Sequence, residues 1–232
     1  MRIAIVGSGK MGRAVAALAE ERGHTIHAIV GSAANQNHRG LTAERLEGVD
    51  VAVEFTTPEA AAGNVTRLIE VGIPTVTGTT GWEAEFPAVA ELVRRRGGAL
   101  LHAANFSVGV HLFLRAAREL GRQVAGRSGF DAFILEEHHA AKRDAPSGTA
   151  RLLQERLREV DRSRDFPITS LRAGATPGTH VVSYDGPFER IELSHVARSR
   201  QGFAAGALAA AEWLPGRSGV HRFEDMLFGA PG

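Results

Sequence analysis

The sequence predicts an α/β chain in two parts: an N-terminal doubly wound parallel sheet, then an α+β domain built on an open mixed sheet. Three observations predict it. A buried-type strand runs straight into Gly7-Ser8-Gly9-Lys10-Met11-Gly12, strands and helices then alternate up to residue 106, and long period-two runs follow beyond it. The 232 residues, 44% of them apolar, suffice for one large or two small cores, and the change of pattern near residue 106 favours two.

Residues 2–6 read as a buried parallel strand, and behind the glycine turn Met11, Val15, Leu18 and Ala19 recur at helical spacing. Strand, glycine turn and helix is the order that dinucleotide binding requires. Gly7 allows the tight turn, Gly9 lets a pyrophosphate approach the backbone, and Gly12 lets the helix pack on the strand; Ser8, Lys10 and Met11 complete the turn. The second strand, residues 24–30, ends in Val30-Gly31-Ser32. No carboxylate stands there to hold a ribose 2′-OH, so both NADH and NADPH stay open. Lys10, Ser32 and Arg39 are the candidates for accepting a 2′-phosphate, with residues 33–40 read as a mobile loop.

Residues 49–56 form a third strand, and Pro58 opens a helix through Val65, Leu68 and Ile69. Strands at 73–77 and 99–104 end in Gly78-Thr79-Thr80-Gly81 and in Asn105-Phe106-Ser107. Ligands of doubly wound sheets lie at the strand C-termini, so Gly78, Thr79, Thr80, Asn105 and Phe106 are expected to line the cofactor. Beyond them, residues 108–123 form a helix with Val110, Phe113, Leu114, Ala117 and Leu120 on one face. Residues 130–136 form a strand, 150–157 a helix, and 180–184 and 190–197 alternate as strands. An alanine-rich helix at 204–214 is expected to return to the first domain.

The segment from Glu137 to Thr149 packs two imidazoles, an ammonium and a proline-broken turn into thirteen residues, between a strand and a helix. Ser147 follows Pro146 and precedes an apolar-periodic run, which makes it a helix N-cap; Gly148 and Thr149 then offer backbone N–H groups to a carboxylate or phosphate. His138 or His139 can exchange a proton near neutral pH, and Lys142 supplies a fixed positive charge or an acid. A lone histidine at a strand end is ordinarily just a solvated side chain; here the combination points to proton transfer on a small anion. No metal site is expected, since adjacent histidines on a strand point to opposite faces.

Composition excludes other classes. A net charge of +1 with scattered arginines advertises no nucleic-acid surface, and the absence of cysteine rules out a disulfide framework. The first strand starts at once, with no hydrophobic stretch of signal or membrane length, so a soluble cytoplasmic protein without a membrane partner is expected.

The motifs together resemble a known family. The glycine turn, Glu54-Phe55-Thr56, Gly78-Thr79-Thr80-Gly81, Ala103-Ala104-Asn105-Phe106-Ser107-Val108-Gly109, the His138 to Ala150 run and Ser194-His195 through Ser199-Arg200 are similar, in order and over nearly the whole chain, to the 4-hydroxy-tetrahydrodipicolinate (dihydrodipicolinate) reductases of lysine and diaminopimelate synthesis. The resemblance implies a Rossmann domain over residues 1–106, completed by a C-terminal helix at 200–232, and a substrate-binding and oligomerisation domain over 107–199. It implies NADH or NADPH as cofactor, a small dicarboxylate as substrate and a homotetramer. By position His138 resembles the acid/base, Lys142 the proton donor and His139 a substrate contact, while Ser147, Gly148 and Thr149 would hold a substrate carboxylate. Gly7, Ser8, Gly9, Lys10, Met11, Gly12, Ser32, Gly78, Thr79, Thr80, Ala103, Ala104, Asn105 and Phe106 would hold the cofactor. The chain departs from the family in a shorter glycine turn, in lacking an acid after the second strand, and in Thr179 where a glutamate is more usual.

The expected chemistry is hydride transfer to a cyclic imine dicarboxylate with a proton from the second domain, the domains closing to bring both onto one ring. The alternatives are an aspartate-type amino-acid dehydrogenase, which needs the glycine turn but not the Asp144 to Thr149 loop, and a non-enzymatic nucleotide sensor.

Overall fold

A computed structural model describes residues 1–199 and 201–229. The chain divides into two compact units, Met1–Phe106 with Phe203–Gly232, and Ser107–Gly202. Arg200 of the family motif, and residues 230–232 of the expected C-terminal helix, lie outside the described residues.

The first unit holds β1 (Arg2–Val6), α1 (Lys10–Glu21), β2 (Thr25–Val30), two 3-10 turns (Ser32–Ala34 and Gln36–His38), β3 (Val51–Glu54), α2 (Pro58–Glu70), β4 (Thr75–Thr77), α3 (Phe86–Arg96) and β5 (Ala99–His102). After the second unit come α6 (Gln201–Trp213), β10 (Gly219–Arg222) and α7 (Phe223–Phe228). The sheet is parallel throughout, in the order β10-β5-β4-β3-β1-β2. Its strands are apolar on both faces because helices cover both. Ile3, Ile5, Val51 and Val53 pack against α1 and α6, while Ala4, Val6 and Ala52 turn the other way onto Leu41, Leu46 and Leu68.

The C-terminal stretch corrects one expectation, because it is more than a helix. Pro215-Gly216 stops α6, and the N–H of Gly219 bonds the carbonyl of Gly98 at 2.7 Å, which lays residues 219–222 beside β5 as a sixth strand.

The second unit contains α4 (Val108–Val124), β6 (Asp131–His138), α5 (Gly148–Val160), β7 (Ile168–Arg172), β8 (Gly178–Asp185) and β9 (Arg190–Ala197). Its sheet runs β7-β6-β8-β9, with β6 and β7 parallel and the other pairs antiparallel, so the sheet is mixed. The apolar stripe of α4 (Val110, Phe113, Leu114, Ala117) and Leu153 and Leu157 of α5 cover one face, over Ile134, Val182 and Tyr184. The other face is left open, with Leu135, Leu171 and Val196 exposed.

A second correction concerns β6, which runs two residues beyond the expected end and takes in His138. Polar residues are accepted there because β7 and β8 flank the strand on both sides and supply backbone and side-chain partners: Glu136 pairs with Ser170 and His180, and His138 with Arg172. His138 therefore sits on a rigid element, and the loop begins at His139.

Candidate functional site

In the first unit the site is built from backbone. Gly7 has φ +110°, a left-handed conformation, and a Cβ there would collide with the Phe55 carbonyl. Gly12 faces the Gly7 carbonyl just as closely, so it serves helix–strand packing. Gly9 is different: it is the N-cap of α1, carries no capping side-chain hydrogen bond, and a Cβ on it would meet nothing within 4 Å. No acid stands in the first turn of α1. Open space in front of an uncapped, acid-free helix start suits a pyrophosphate.

Two recesses flank this point. One of about 310 Å³ is lined by Gly7, Ser8, Gly9, Val30, Gly31, Ser32, Asn35, His38, Phe55, Thr56, Thr57, Ala60 and Asn64. The other, about 450 Å³, is lined by Gly9, Lys10, Met11, Phe55, Thr56, Pro58, Gly78, Thr79 and Thr80. The residues fit a dinucleotide: the glycine turn joins a pocket at the end of β2 to one at the end of β4, as the two halves of such a molecule require. Ala103, Ala104, Asn105 and Phe106 line neither recess. Phe106 is buried in the core, edge-on to Phe55 and Phe223.

The loop at residues 33–40 is tethered. Asn35 Nδ2 donates to Asn64 Oδ1 at 2.8 Å, His38 Nδ1 lies 2.8 Å from the same oxygen, and Asn64 Nδ2 donates to the Thr56 hydroxyl at 3.2 Å. That hydroxyl donates to the fully buried Glu54, which also accepts from Thr77 at 2.5 Å. Asn35, His38 and Asn64 were not among the expected cofactor residues. Asn64 is a polar residue on the otherwise apolar buried face of α2, a weak signal, while Asn35 and His38 stand in a polar run, residues 35–39, that singles out neither.

In the second unit the site is built from side chains. His138 is buried at the end of β6, and its Nδ1 lies against Oε2 of Glu136, two residues earlier on the same strand face. The other carboxylate oxygen of Glu136 accepts from Arg172 Nη2 at 2.5 Å and from the N–H of Ser147 at 3.2 Å. Arg172 also donates to the carbonyl of Asp144 at 2.6 Å, which ties the loop to β7. Ser147 caps α5 as expected, its Oγ accepting from the N–H of Ala150 at 3.2 Å, and lies 3.1 Å from Nε2 of His180. The His180 ring stands edge-on to His138, with centroids 5.2 Å apart. Gly148 is exposed and opens the helix, with no acid in its first turn.

His139 is half-buried, its N–H bonded to the Thr176 carbonyl at 2.8 Å. Lys142 Nζ donates to both carboxylate oxygens of Asp144, at 2.7 and 3.0 Å. That bond lowers the pKa of Asp144 and engages the ammonium. Glu136, Arg172 and His180 are the functional candidates that sequence reasoning missed. They lie on three strands, and only the register brings them together.

Electrostatics follow from this packing. Burial pushes the carboxyl of Glu136 upward, but Arg172, Ser170, His138 and the N–H of Ser147 outweigh it and bring the group down to about 2. Burial lowers His138 despite the opposing pull of Glu136, and burial with His138 nearby takes His180 down to about 4. Both imidazoles are neutral at pH 7, beside a carboxylate that stays ionised. The ligand-type atoms of Glu136, His138 and His180 lie within 4.8 Å of one another. One carboxylate oxygen is already against His138 and the other is held by Arg172, so the geometry is that of a proton-sharing pair.

The fold and the glycine recesses are those of a dinucleotide-binding protein. Residues 1–106 match the family model for the dihydrodipicolinate reductase N-terminus and residues 109–227 that for its C-terminus. The 4-hydroxy-tetrahydrodipicolinate reductase of Christiangramia forsetii is 34% identical over 98% of both chains, and that of Rhodopseudomonas palustris is 38% identical over 78% of this chain and 73% of its own. The fold is also that of a dipicolinate-bound dihydrodipicolinate reductase from Paenisporosarcina sp. TG-14, with a TM-score of 0.82 at 21% identity over 98% of this chain and 99% of that one. The chain belongs to the dihydrodipicolinate reductase family.

Proposed function

We propose that this protein reduces 4-hydroxy-tetrahydrodipicolinate, by way of dihydrodipicolinate, to tetrahydrodipicolinate in lysine and diaminopimelate biosynthesis. The observation that carries the reading is the junction of β6 and α5, where one short segment holds a buried acid–base histidine, an ammonium and a serine-capped, acid-free helix start. A dianionic ring with an imine to protonate needs those three things together.

The first unit is the nucleotide-binding domain and the second the substrate domain. NADH or NADPH, when bound, supplies the hydride; Gly7, Ser8, Gly9 and Ser32 would hold its adenosine and pyrophosphate part, and Lys10, Met11, Gly78, Thr79 and Thr80 the remainder. Gly148 and Thr149 bind one substrate carboxylate through backbone N–H groups, and His139 contacts the ring. Lys142 leaves Asp144 for the substrate and donates the proton, while His138 exchanges protons at the same site. Two positive or N–H-rich contacts match two carboxylates.

The open face of the second sheet, where Leu135, Leu171 and Val196 stand exposed on paired strands, supports assembly through that sheet into a homotetramer. No helix among the described residues is long and apolar enough to cross a membrane, and a cytoplasmic enzyme is proposed. Steady-state oxidation of NADH and of NADPH, with substrate generated in situ from pyruvate and aspartate semialdehyde, tests reaction and cofactor at once. Absence of oxidation with both cofactors overturns the reading. Light scattering after size-exclusion chromatography tests the tetramer.

A further inference from the structure

We infer that Glu136, clamped by Arg172, is a positioning residue that keeps a proton on Nδ1 of His138 and so makes Nε2 the nitrogen through which His138 exchanges protons. The inference rests on the proposed acid–base role of His138 and names the partner that role requires.

The geometry leaves one arrangement. Nδ1 of His138 and Oε2 of Glu136 are both buried and in ion-pair contact, and neither atom makes a hydrogen bond of regular geometry to any group. Two buried polar atoms in that position share a proton, since leaving either unsatisfied forfeits its hydration with nothing in return. Glu136 cannot take the proton for itself. Its second oxygen is held by the Arg172 guanidinium at 2.5 Å and by the Ser147 N–H at 3.2 Å, so it stays a carboxylate and the proton belongs to the imidazole. A fixed tautomer at one ring nitrogen defines the other as the reactive one.

The surroundings of Nε2 agree. A Cβ at Gly178 would stand 2.9 Å from that nitrogen, so the glycine keeps a side chain off it at the start of β8. The charged and titratable groups around His138 are Glu136 on its own strand, Arg172 on β7, His180 on β8 and Lys142 in the loop, with His195 of β9 acting on His180. Glu136 alone among these favours the charged imidazole. The step balances simply: His138 takes a proton from solvent at Nε2, delivers it from Nε2, and returns to the neutral ring with Nδ1–H still on Glu136.

The test uses the full chain labelled with ¹⁵N-histidine, the His138 signals being assigned by their loss in His138→Gln. The neutral wild-type ring should be the Nδ1–H tautomer. In Glu136→Gln the ring should become a tautomer mixture that titrates at lower pH, and the limb of the kcat/KM profile that reports His138 should move to lower pH with it. Turnover should fall roughly 10- to 100-fold at nearly constant KM, the usual size for losing the group that orients a functional histidine. NADH and NADPH affinity, read by fluorescence, should stay unchanged, and Arg172→Lys should retain the wild-type tautomer. An Nε2–H tautomer in the wild type overturns the inference, even if the Glu136 variant fails to fold. So does a Glu136→Gln protein with unaltered tautomer and pH profile. The tautomer is read without substrate, so a wild type that shows Nδ1–H but does not oxidise either cofactor sinks the proposed reaction and leaves the pairing standing.

Discussion

The two units build their sites from different materials. In the first, the contacts offered to a ligand come from the backbone: a glycine at φ +110°, a bare helix start at Gly9 and small side chains around it. In the second they come from titratable and charged side chains on three strands and a loop, linked through Glu136 and Arg172. A backbone site tolerates little change of shape but has no protonation state to protect. The side-chain site has the opposite weakness, since each member depends on the charge of its neighbours.

The largest effect expected from this contrast is at Gly12, where a valine would drive Cβ into the Gly7 carbonyl. Gly12→Val should cost about 4 kcal/mol or more and abolish nucleotide binding, read by thermal unfolding and by NADH fluorescence. Retention of both would mean that the turn is looser than its backbone indicates. Next in size, Lys142→Ala and His138→Ala should each lower turnover by roughly 100-fold or more and leave nucleotide affinity near the wild-type value. A large loss of affinity in either would erase the division of labour between the units.

Acid should separate the units as well. His180 titrates at about 4 in the folded protein and near its ordinary 6.5 when unfolded, so the unfolded chain binds more protons between those values. The stability it secures is intact above pH 6.5 and is lost as pH falls toward 4, roughly 3 kcal/mol in all. Glu136, held at about 2, extends the loss below pH 4.5. Tyr184 lies in the second unit while Trp82 and Trp213 lie in the first, where burial also lowers His102, edge-on to Trp82, but moves no histidine as far as His180, so the near-ultraviolet tyrosine signal should change at higher pH than tryptophan emission. Coincident transitions would contradict this. The smallest effect belongs to Ser147→Ala, which removes the cap of α5 and should cost about 1 kcal/mol by urea unfolding.

The same contrast explains what could be read in the sequence. The glycine turn, the alternation of strands and helices and the Ser147 cap are local patterns, and each appears in the structure where it was expected. Lys142 and His139 were visible because they sit in one short run. Glu136, Arg172 and His180 were not, because strand register decides which residues of β6, β7 and β8 share a face, and no local period encodes it. Asn64 went unnoticed for a similar reason: its partners Asn35, His38 and Thr56 are distant in sequence. The strand at 219–222 was missed because four residues carry little periodicity and the edge of β5 does the rest.

That last strand also sets a timetable for synthesis. As the chain leaves the ribosome, residues 1–106 must wait for about a hundred more before α6 can cover the exposed side of their sheet and β10 can close its edge. The second unit has its whole chain in hand earlier, so it is the one placed to finish first, reversing the usual N-to-C order of maturation.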